Sequence, residues 1–302
     1  DLAMAATATP ASPWIAAQAN PWPGRLAVLK RTGAASLEFN RFIEAQATMG
    51  NLLTPLAAGP LSVFDRATSF DVVLKYGALS SVSEAEVLNG ANLAVVGDAA
   101  SGFEIIQFAS AELIGPNTYR VKTLLRGQAG SAPEVLASRA APTNFVLLNP
   151  AVVRAELSAS EAALENTWRV GPAQLDSGHS AYLELTLQGQ SKALRPLSPC
   201  QLRASHDGAD VVFTWIRRSR IDSDGWEPVE IPLGEESENY RLDILDGVTV
   251  KRSVDVSNPG YRYLAADIAA DFGAAPANYD LRLAQISAGF GVGATLAGSV
   301  SL

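Results

Sequence analysis

The sequence is poor in residues that assemble reactive centres. Among 302 residues there is one cysteine, Cys200, and there are two histidines, His179 and His206. A single thiol excludes an intrachain disulfide framework, and its ordinary place is as a small buried apolar side chain. Two histidines far apart in sequence, with no ligand cluster beside either, do not supply a metal site. Neither has a partner suggesting a catalytic triad, and no Gly-x-Ser-x-Gly elbow occurs. No apolar run approaches the ~20 residues of a membrane-spanning helix. The opening Asp1-Leu2-Ala3-Met4 lacks the basic stretch and apolar core of a signal peptide, and a start on Asp is expected of a piece of a longer polypeptide. Positive charge is also scarce: 23 Lys and Arg against 31 Asp and Glu give a net charge of −8. Phosphate binding needs a basic surface, so nucleic acid is not expected as a direct partner.

Three short clusters invite chemical readings. Glu235, Glu236 and Glu238 have the pairing of carboxylates that glycosidases use. On a polar loop they read instead as a solvated acidic patch or as partners for Arg217, Arg218 and Arg220. Asp222-Ser223-Asp224-Gly225 with Glu227 places oxygens at alternate positions, as calcium loops do, but the further ligand spacing is missing and a polar hairpin tip is the plainer reading. Gly289, Gly291 and Gly293 look superficially like a phosphate loop; with no lysine following, a flexible turn between the last two strands is expected. No catalytic, cofactor-binding or metal-binding residues, and no cofactors, are therefore assigned. The candidate interaction residues are Arg217, Arg218, Arg220 and Trp226, either packed within their own loop or meeting a protein partner, since Arg and Trp anchor interfaces.

What the chain does have is β-pattern. Hydrophobic residues make up 48 %, and they recur in short alternating runs between Gly, Pro, Asn and Asp. Phe70–Tyr76, Leu93–Val96, Phe103–Phe108, Tyr119–Leu125, Asn144–Leu148 and Ala181–Leu187 predict strands in one region. Asp210–Ile216, Tyr240–Leu245, Val248–Arg252, Tyr261–Leu264, Leu281–Ser287 and Leu296–Leu302 predict strands in another. Ser158–Asn166 has helix formers but is too short to outweigh them. Residues 1–24, with Pro10, Pro13, Pro21 and Pro23, read as an extended linker or strap. Trp14 and Trp22 would pin it, onto its own domain or onto a neighbour. The Pro196/Pro199 pair reads as a stiff boundary. The expected organisation is all-β: a strap (1–24), a β-rich domain with two sheet regions (25–194) and a sandwich (195–302).

Two resemblances add to this. From the prolines before Gln201, through Trp215 and Tyr240, to Asn258-Pro259-Gly260-Tyr261-Arg262-Tyr263 and Leu281–Ser287, the final third resembles a fibronectin type III domain. It departs from that pattern by an insertion over Arg217–Asn239. Leu124-Leu125-Arg126-Gly127-Gln128-Ala129-Gly130 is similar to a turn in tail-tip proteins of long-tailed phages, and Val87–Asn92 and Phe103–Phe108 are similar to segments preceding it there. Trp215–Arg220 with Pro232-Leu233-Gly234-Glu235 resembles the C-terminal part of the large baseplate protein of gene transfer agents, phage-derived particles that deliver host DNA. The resemblance implies a non-enzymatic structural component of a virion-like tail baseplate, extracellular after release. In the full-length protein a glycoside-hydrolase-like domain would lie upstream. Its implied partners are other baseplate and tail proteins and further copies of itself, with host cell-surface glycans as a further partner class. The rival reading is a carbohydrate-binding module of a glycoside hydrolase, with Trp14, Trp22 or Trp226 stacking on sugar rings; solvent-facing aromatics in a row would favour it.

Overall fold

The computed structural model describes residue 2 and residues 10–158, 160–221 and 230–302. The chain divides into two compact units, Asp1–Ala193 and Leu194–Leu302, and both are built of β-structure.

The first unit runs through β1 (Trp14–Ile15), β2 (Leu26–Thr32), β3 (Glu38–Ile43), β4 (Met49–Leu52), β5 (Leu56–Ala57) and β6 (Asp65–Tyr76). Helix α1 (Glu84–Leu88) precedes β7 (Leu93–Asp98), β8 (Gly102–Gly115), β9 (Thr118–Leu125) and β10 (Ser138–Arg139). Then come β11 (Asn144–Leu147), β12 (Val153–Arg154), β13 (Glu165–Pro172) and β14 (Leu183–Gln188). Six strands close a barrel in the order β11-β4-β6-β9-β8-β7, sealed where β7 pairs with β11. Alternation directs Phe70, Val72 and Leu74 of β6 and Ile106 and Phe108 of β8 inward, to meet Val121, Leu124 and Phe145. On β8, burial is continuous from Glu104 to Ala109. Its outward Ala109 is covered by Val87 of α1, together with Leu125. That helix starts in a reciprocal cap: Ser83 Oγ accepts from Glu86 N–H, and the Glu86 carboxylate accepts from Ser83 N–H at 2.7 Å.

The other sheet of this unit has the order β14-β13-β2-β3. Leu26 and Val28 of β2 and Trp168 of β13 form its buried face. Of the segment expected as a strap, the described residues from Ala11 to Trp22 supply contacts to that face. β1 pairs with β12, and Ala11, Ile15, Ala17 and Trp22 pack on the same core. Trp14 and Trp22 are accordingly half-buried. Beyond this cover, Leu183, Leu185 and Leu187 of the margin strand β14 stay exposed. They continue the face that carries Val170 and Trp168. Residues 160–163 form a turn rather than a helix.

In the second unit β15 (Cys200–Asp207), β16 (Asp210–Ile216), β17 (Asn239–Asp246), β18 (Thr249–Val256) and β19 (Gly260–Tyr263) precede helix α2 (Ala265–Phe272). The strands β20 (Asn278–Ser287) and β21 (Gly291–Ser301) follow. Three strands, β15-β16-β19, and four, β18-β17-β20-β21, enclose one core, the two-sheet plan of a fibronectin type III-like sandwich. Val211, Phe213 and Trp215 alternate inward from β16 against Tyr240, Leu242 and Ile244 of β17 and Tyr279, Leu281 and Leu283 of β20. The rings meet edge-on, Phe213 to Tyr279 at 5.4 Å and Trp215 to Tyr240 at 5.3 Å, the geometry aromatic quadrupoles prefer. Two details differ from expectation. The last strand begins at Gly291, so Gly291 and Gly293 lie in a ladder rather than in a turn. Helix α2 occupies a stretch without a predicted element, held by Ile268 in the core and by Arg252, which donates to Asp271 at 2.6 Å and to Asp267 at 3.0 Å.

Candidate functional sites

The arginines at the end of β16 are turned to their own loop. Arg217 donates to the carbonyls of Ile231 and Pro232, Arg218 to the carbonyl and hydroxyl of Ser198, and Arg220 to Glu235 at 3.0 Å and to the Gly234 carbonyl. A guanidinium carries five donors in a fixed fork, which suits it to gathering carbonyls where regular ladders stop. These three residues thus bind the lead into β15 and residues 230–235 to the end of β16. Trp226 and the Asp222–Glu227 calcium reading lie outside the described residues. The three nearby carboxylates go separate ways. Glu235 pairs with Arg220; Glu236 accepts from Ala288 N–H; Glu238 accepts from the Tyr240 hydroxyl at 2.6 Å. Burial, with Glu238 beside it, pushes the Tyr240 phenol well above its usual range.

Among the described residues no group of three or more His, Cys, Asp and Glu stands close enough to hold a metal ion, and no helix is long and apolar enough to cross a membrane. His179 and His206 are exposed and lie in different units. Cys200, expected to be buried, is half-exposed at the start of β15, because the first residue of that strand sits at the sandwich rim.

The turn Leu124–Gly130 holds more than its sequence showed. Gly127, Ala129 and Gly130 all have positive φ (60°, 49° and 81°). At Gly127 an added Cβ would also lie 2.8 Å from Ala132 Cα, so glycine is required there. Arg126 points into the barrel, where it is 1 % exposed, and meets Glu104, which is 0 % exposed. The pair is bidentate, Nε to Oε1 at 2.6 Å and Nη2 to Oε2 at 2.9 Å, while Nη1 donates to the Ala57 carbonyl at 2.6 Å. Arg139, also buried, reaches the carbonyls of Gly102 and Glu134 and the hydroxyl of Ser101. Burial lowers its pKa. Among the described residues the Nε of Arg139 has no hydrogen-bond partner, whereas the Glu104–Arg126 pair is matched atom for atom, as a charge buried this deeply requires. Glu104 falls on the same strand face as Ile106 and Phe108, and that misfit was the sequence signal that a cation had to reach it.

A third site is an open groove of about 620 Å³ beside β3, lined by Glu38, Phe39, Asn40, Arg41, Arg154 and Glu156 among others. The β2–β3 register runs Leu29 to Phe39 and then Val28 to Arg41, leaving Asn40 as the extra residue of a bulge, a device that re-aims a side chain. Asn40 is fixed by two bonds to the Glu156 backbone, Nδ2 to O at 2.7 Å and N–H to Oδ1 at 3.0 Å. Arg41 donates to Glu156 Oε1 at 3.1 Å. At the inner end Lys30 is held by Glu161 at 2.6 Å and Glu38 at 3.1 Å. Burial alone would lower the Lys30 pKa, but the two acids outweigh it and the value is raised. Lys30, with Ser158, holds the Glu161 carboxyl down to about 2. Burial and the neighbouring Arg41 charge lower Arg154. Phe39 is 54 % exposed and, by the β2–β3 register, lies with Phe42 on the other face of the sheet, the two ring centroids 4.6 Å apart and Arg25 4.4 Å over Phe42. Nothing in the sequence patterning singled these residues out, because β3 was not predicted as a strand.

Compared with known families, residues 47–146 match a family described as "Rcc01698-like, C-terminal". That interval coincides with the barrel, from just before β4 to the penultimate residue of β11. No curated protein matches the chain. Among solved structures, the crystal structure of the chicken CNTN1 FN1–FN3 domains is similar at 11 % identity over 92 % of this chain and 91 % of that one, with a TM-score of 0.24. Likeness at that level carries no argument, and the sandwich assignment rests on the sheet order itself.

Proposed function

We propose that the chain is a structural component of the tail baseplate of a phage-like particle of the gene-transfer-agent kind, contributing to assembly and to attachment at the host surface. One observation carries this reading. The family model that bears a gene-transfer-agent-associated name spans the closed barrel, and the Leu124–Gly130 turn that resembles phage tail-tip proteins lies inside the same interval. The chemistry supports it. Glu104 and Arg126 of the barrel and Arg217, Arg218 and Arg220 of the second unit serve internal pairing, which leaves surfaces and margins as the means of contact. Such components usually assemble about a symmetry axis, so several copies per particle are proposed. The test is to purify particles from a producing strain, identify this polypeptide in them by mass spectrometry and locate it with antibodies by electron microscopy. Decoration of the tail tip is expected; particles that are complete and infective without the polypeptide would overturn the proposal.

The rival carbohydrate module loses its first support. Trp22 packs on the core of its own sheet and Trp14 is half-buried in the β1–β12 pair, so these two do not stand in a solvent-facing row.

A further inference from the structure

We infer that two copies of this chain associate through β14, which pairs antiparallel with its own equivalent about a two-fold axis at Leu185. The inference deepens the several-copies part of the proposed function and rests on that reading for its place in a particle; the contact itself is read from the strand.

β14 is an unprotected border. One side of it is taken by β13 in an unbroken register of six pairs, from Glu165 opposite Gln188 to Val170 opposite Leu183. Among the described residues, no backbone bond reaches its other side. Folded chains blunt such borders with proline, lysine or a bulge, and Leu183-Glu184-Leu185-Thr186-Leu187-Gln188 contains none of them. β3, at the opposite border of the sheet, has both a bulge and an arginine. Leu183, Leu185 and Leu187 are 63 %, 49 % and 48 % exposed, although they share the sheet face that Trp168 buries. A wet apolar row beside a free ladder is what strand addition uses, the backbone bonds giving affinity and the alternate side chains giving specificity.

The order of residues in the strand selects the partner. Directly opposed residues of an antiparallel pair share a face. With Leu185 on the axis it meets the partner's Leu185, Leu183 meets the partner's Leu187, and Glu184 meets the partner's Thr186. Six leucines then form one row, and no like charges are opposed. Moving the axis to Glu184 sets two carboxylates against each other. Moving it to Thr186 leaves Leu183 facing a glycine, and half a step toward Thr186 sets each leucine against a polar side chain. The other face asks little of a partner, since Glu184 lies 3.5 Å from Arg169 and the Thr186 hydroxyl 3.3 Å from that of Thr167. Because β13 holds the far side of β14, the pairing closes at two copies.

The test is sedimentation velocity of the 302-residue chain from about 1 μM to about 1 mM, a range set by the weakness of small interfaces. A concentration-dependent dimer is expected. Leu185→Lys, which opposes two ammonium groups on the axis, should raise its dissociation constant at least tenfold. Leu88→Lys removes a more exposed leucine from α1 and should leave the constant unchanged. Both variants should keep the wild-type melting profile, since both side chains are largely solvated. In a Cys200→Ser background, Leu185→Cys should give a covalent dimer on air oxidation and Leu88→Cys should not. A chain that stays monomeric throughout, as it would if a different polypeptide or the chain itself covered the leucines, overturns the inference. So does a dimer indifferent to Leu185→Lys, one weakened equally by Leu88→Lys, or a Leu185→Cys chain that stays uncrosslinked. The two readings fail separately. A monomer found in the tail overturns the pairing and leaves the structural role, and a β14 dimer in a chain absent from particles does the reverse.

Discussion

Replacing Arg126 with methionine removes the cation from the barrel interior while keeping most of the side-chain volume. Three hydrogen bonds disappear: two to Glu104 and one to the Ala57 carbonyl. Lost attraction is the smaller consequence. Glu104 is left fully buried, with a long Gly127 N–H bond (3.4 Å) and the charge of Arg139 as what remains to it. Breaking a buried pair from one side costs about 3–5 kcal/mol. Against a typical domain stability of about 5–15 kcal/mol, that is a large fraction. With a urea dependence of about 2 kcal/mol/M for a unit of this size, the midpoint of the first unit should fall by about 1.5–2.5 M. The assay is urea unfolding followed by peptide-resolved hydrogen exchange, in which β15–β21 act as an internal control because the second unit has its own core. The double variant Glu104→Leu/Arg126→Met removes both charges and should recover part of the loss, since apolar replacement of a whole buried pair is often neutral or better but Asp65 and Arg139 each lose an opposite charge. The Ala57 carbonyl would still lack its donor, at about 1–3 kcal/mol. If Arg126→Met shifted the first unit by less than about 1 kcal/mol, or if the double variant were worse than the single, the pair could not be what holds that end of the barrel.

Two other outcomes follow from the same kind of reasoning. Glu161, held from 4.5 down to about 2 by Lys30 and Ser158, contributes stability that is complete above its unfolded value of about 4.5 and is lost as pH falls toward 2. Its weight is up to about 3 kcal/mol, so Glu161→Gln should lower stability at pH 7 and flatten the acid limb between pH 4.5 and 2; an unchanged limb in pH-dependent melting would refute this. At Gly50 an added Cβ would overlap the Val73 carbonyl oxygen and lie 2.7 Å from Leu74 Cα. Gly50→Ala should therefore cost several kcal/mol of overpacking in the barrel, readable as a lower melting temperature of the first unit alone, and a neutral result would mean that β4 and β6 can part freely.

The sequence patterning was informative where a strand has one wet face. Tyr240–Leu245 and Leu281–Ser287 alternate cleanly, and both are central strands of the sandwich. It was weaker where burial is two-sided or closure is non-local. On β8 the continuous run from Glu104 to Ala109 hid which residues enter the barrel. Pairing of β11 with both β4 and β7, which seals the ring, depends on contacts far apart in the chain. Helix α2 is rich in alanine, so its apolar stripe of Ile268 and Phe272 was too thin to register. The arginines after Trp215 were legible as a cluster, but their acceptors are mostly carbonyls, and no side-chain pattern reveals those. Arg126 was legible only as part of a turn. The groove depends on a bulge in β3, a one-residue shift that composition does not record.

Closure of six strands into a ring has a topological corollary. A ring has no terminal strand, so no incoming polypeptide can extend it by backbone pairing, and neighbours must approach its flank through side chains and hairpin tips. Among the described residues of this unit, the long strand borders are thereby those of the four-stranded sheet, the two remaining sheets being two-residue pairs. Of its two borders, β3 is partly clasped by Asn40 and Glu156, while β14 presents an uncovered border with three outward leucines.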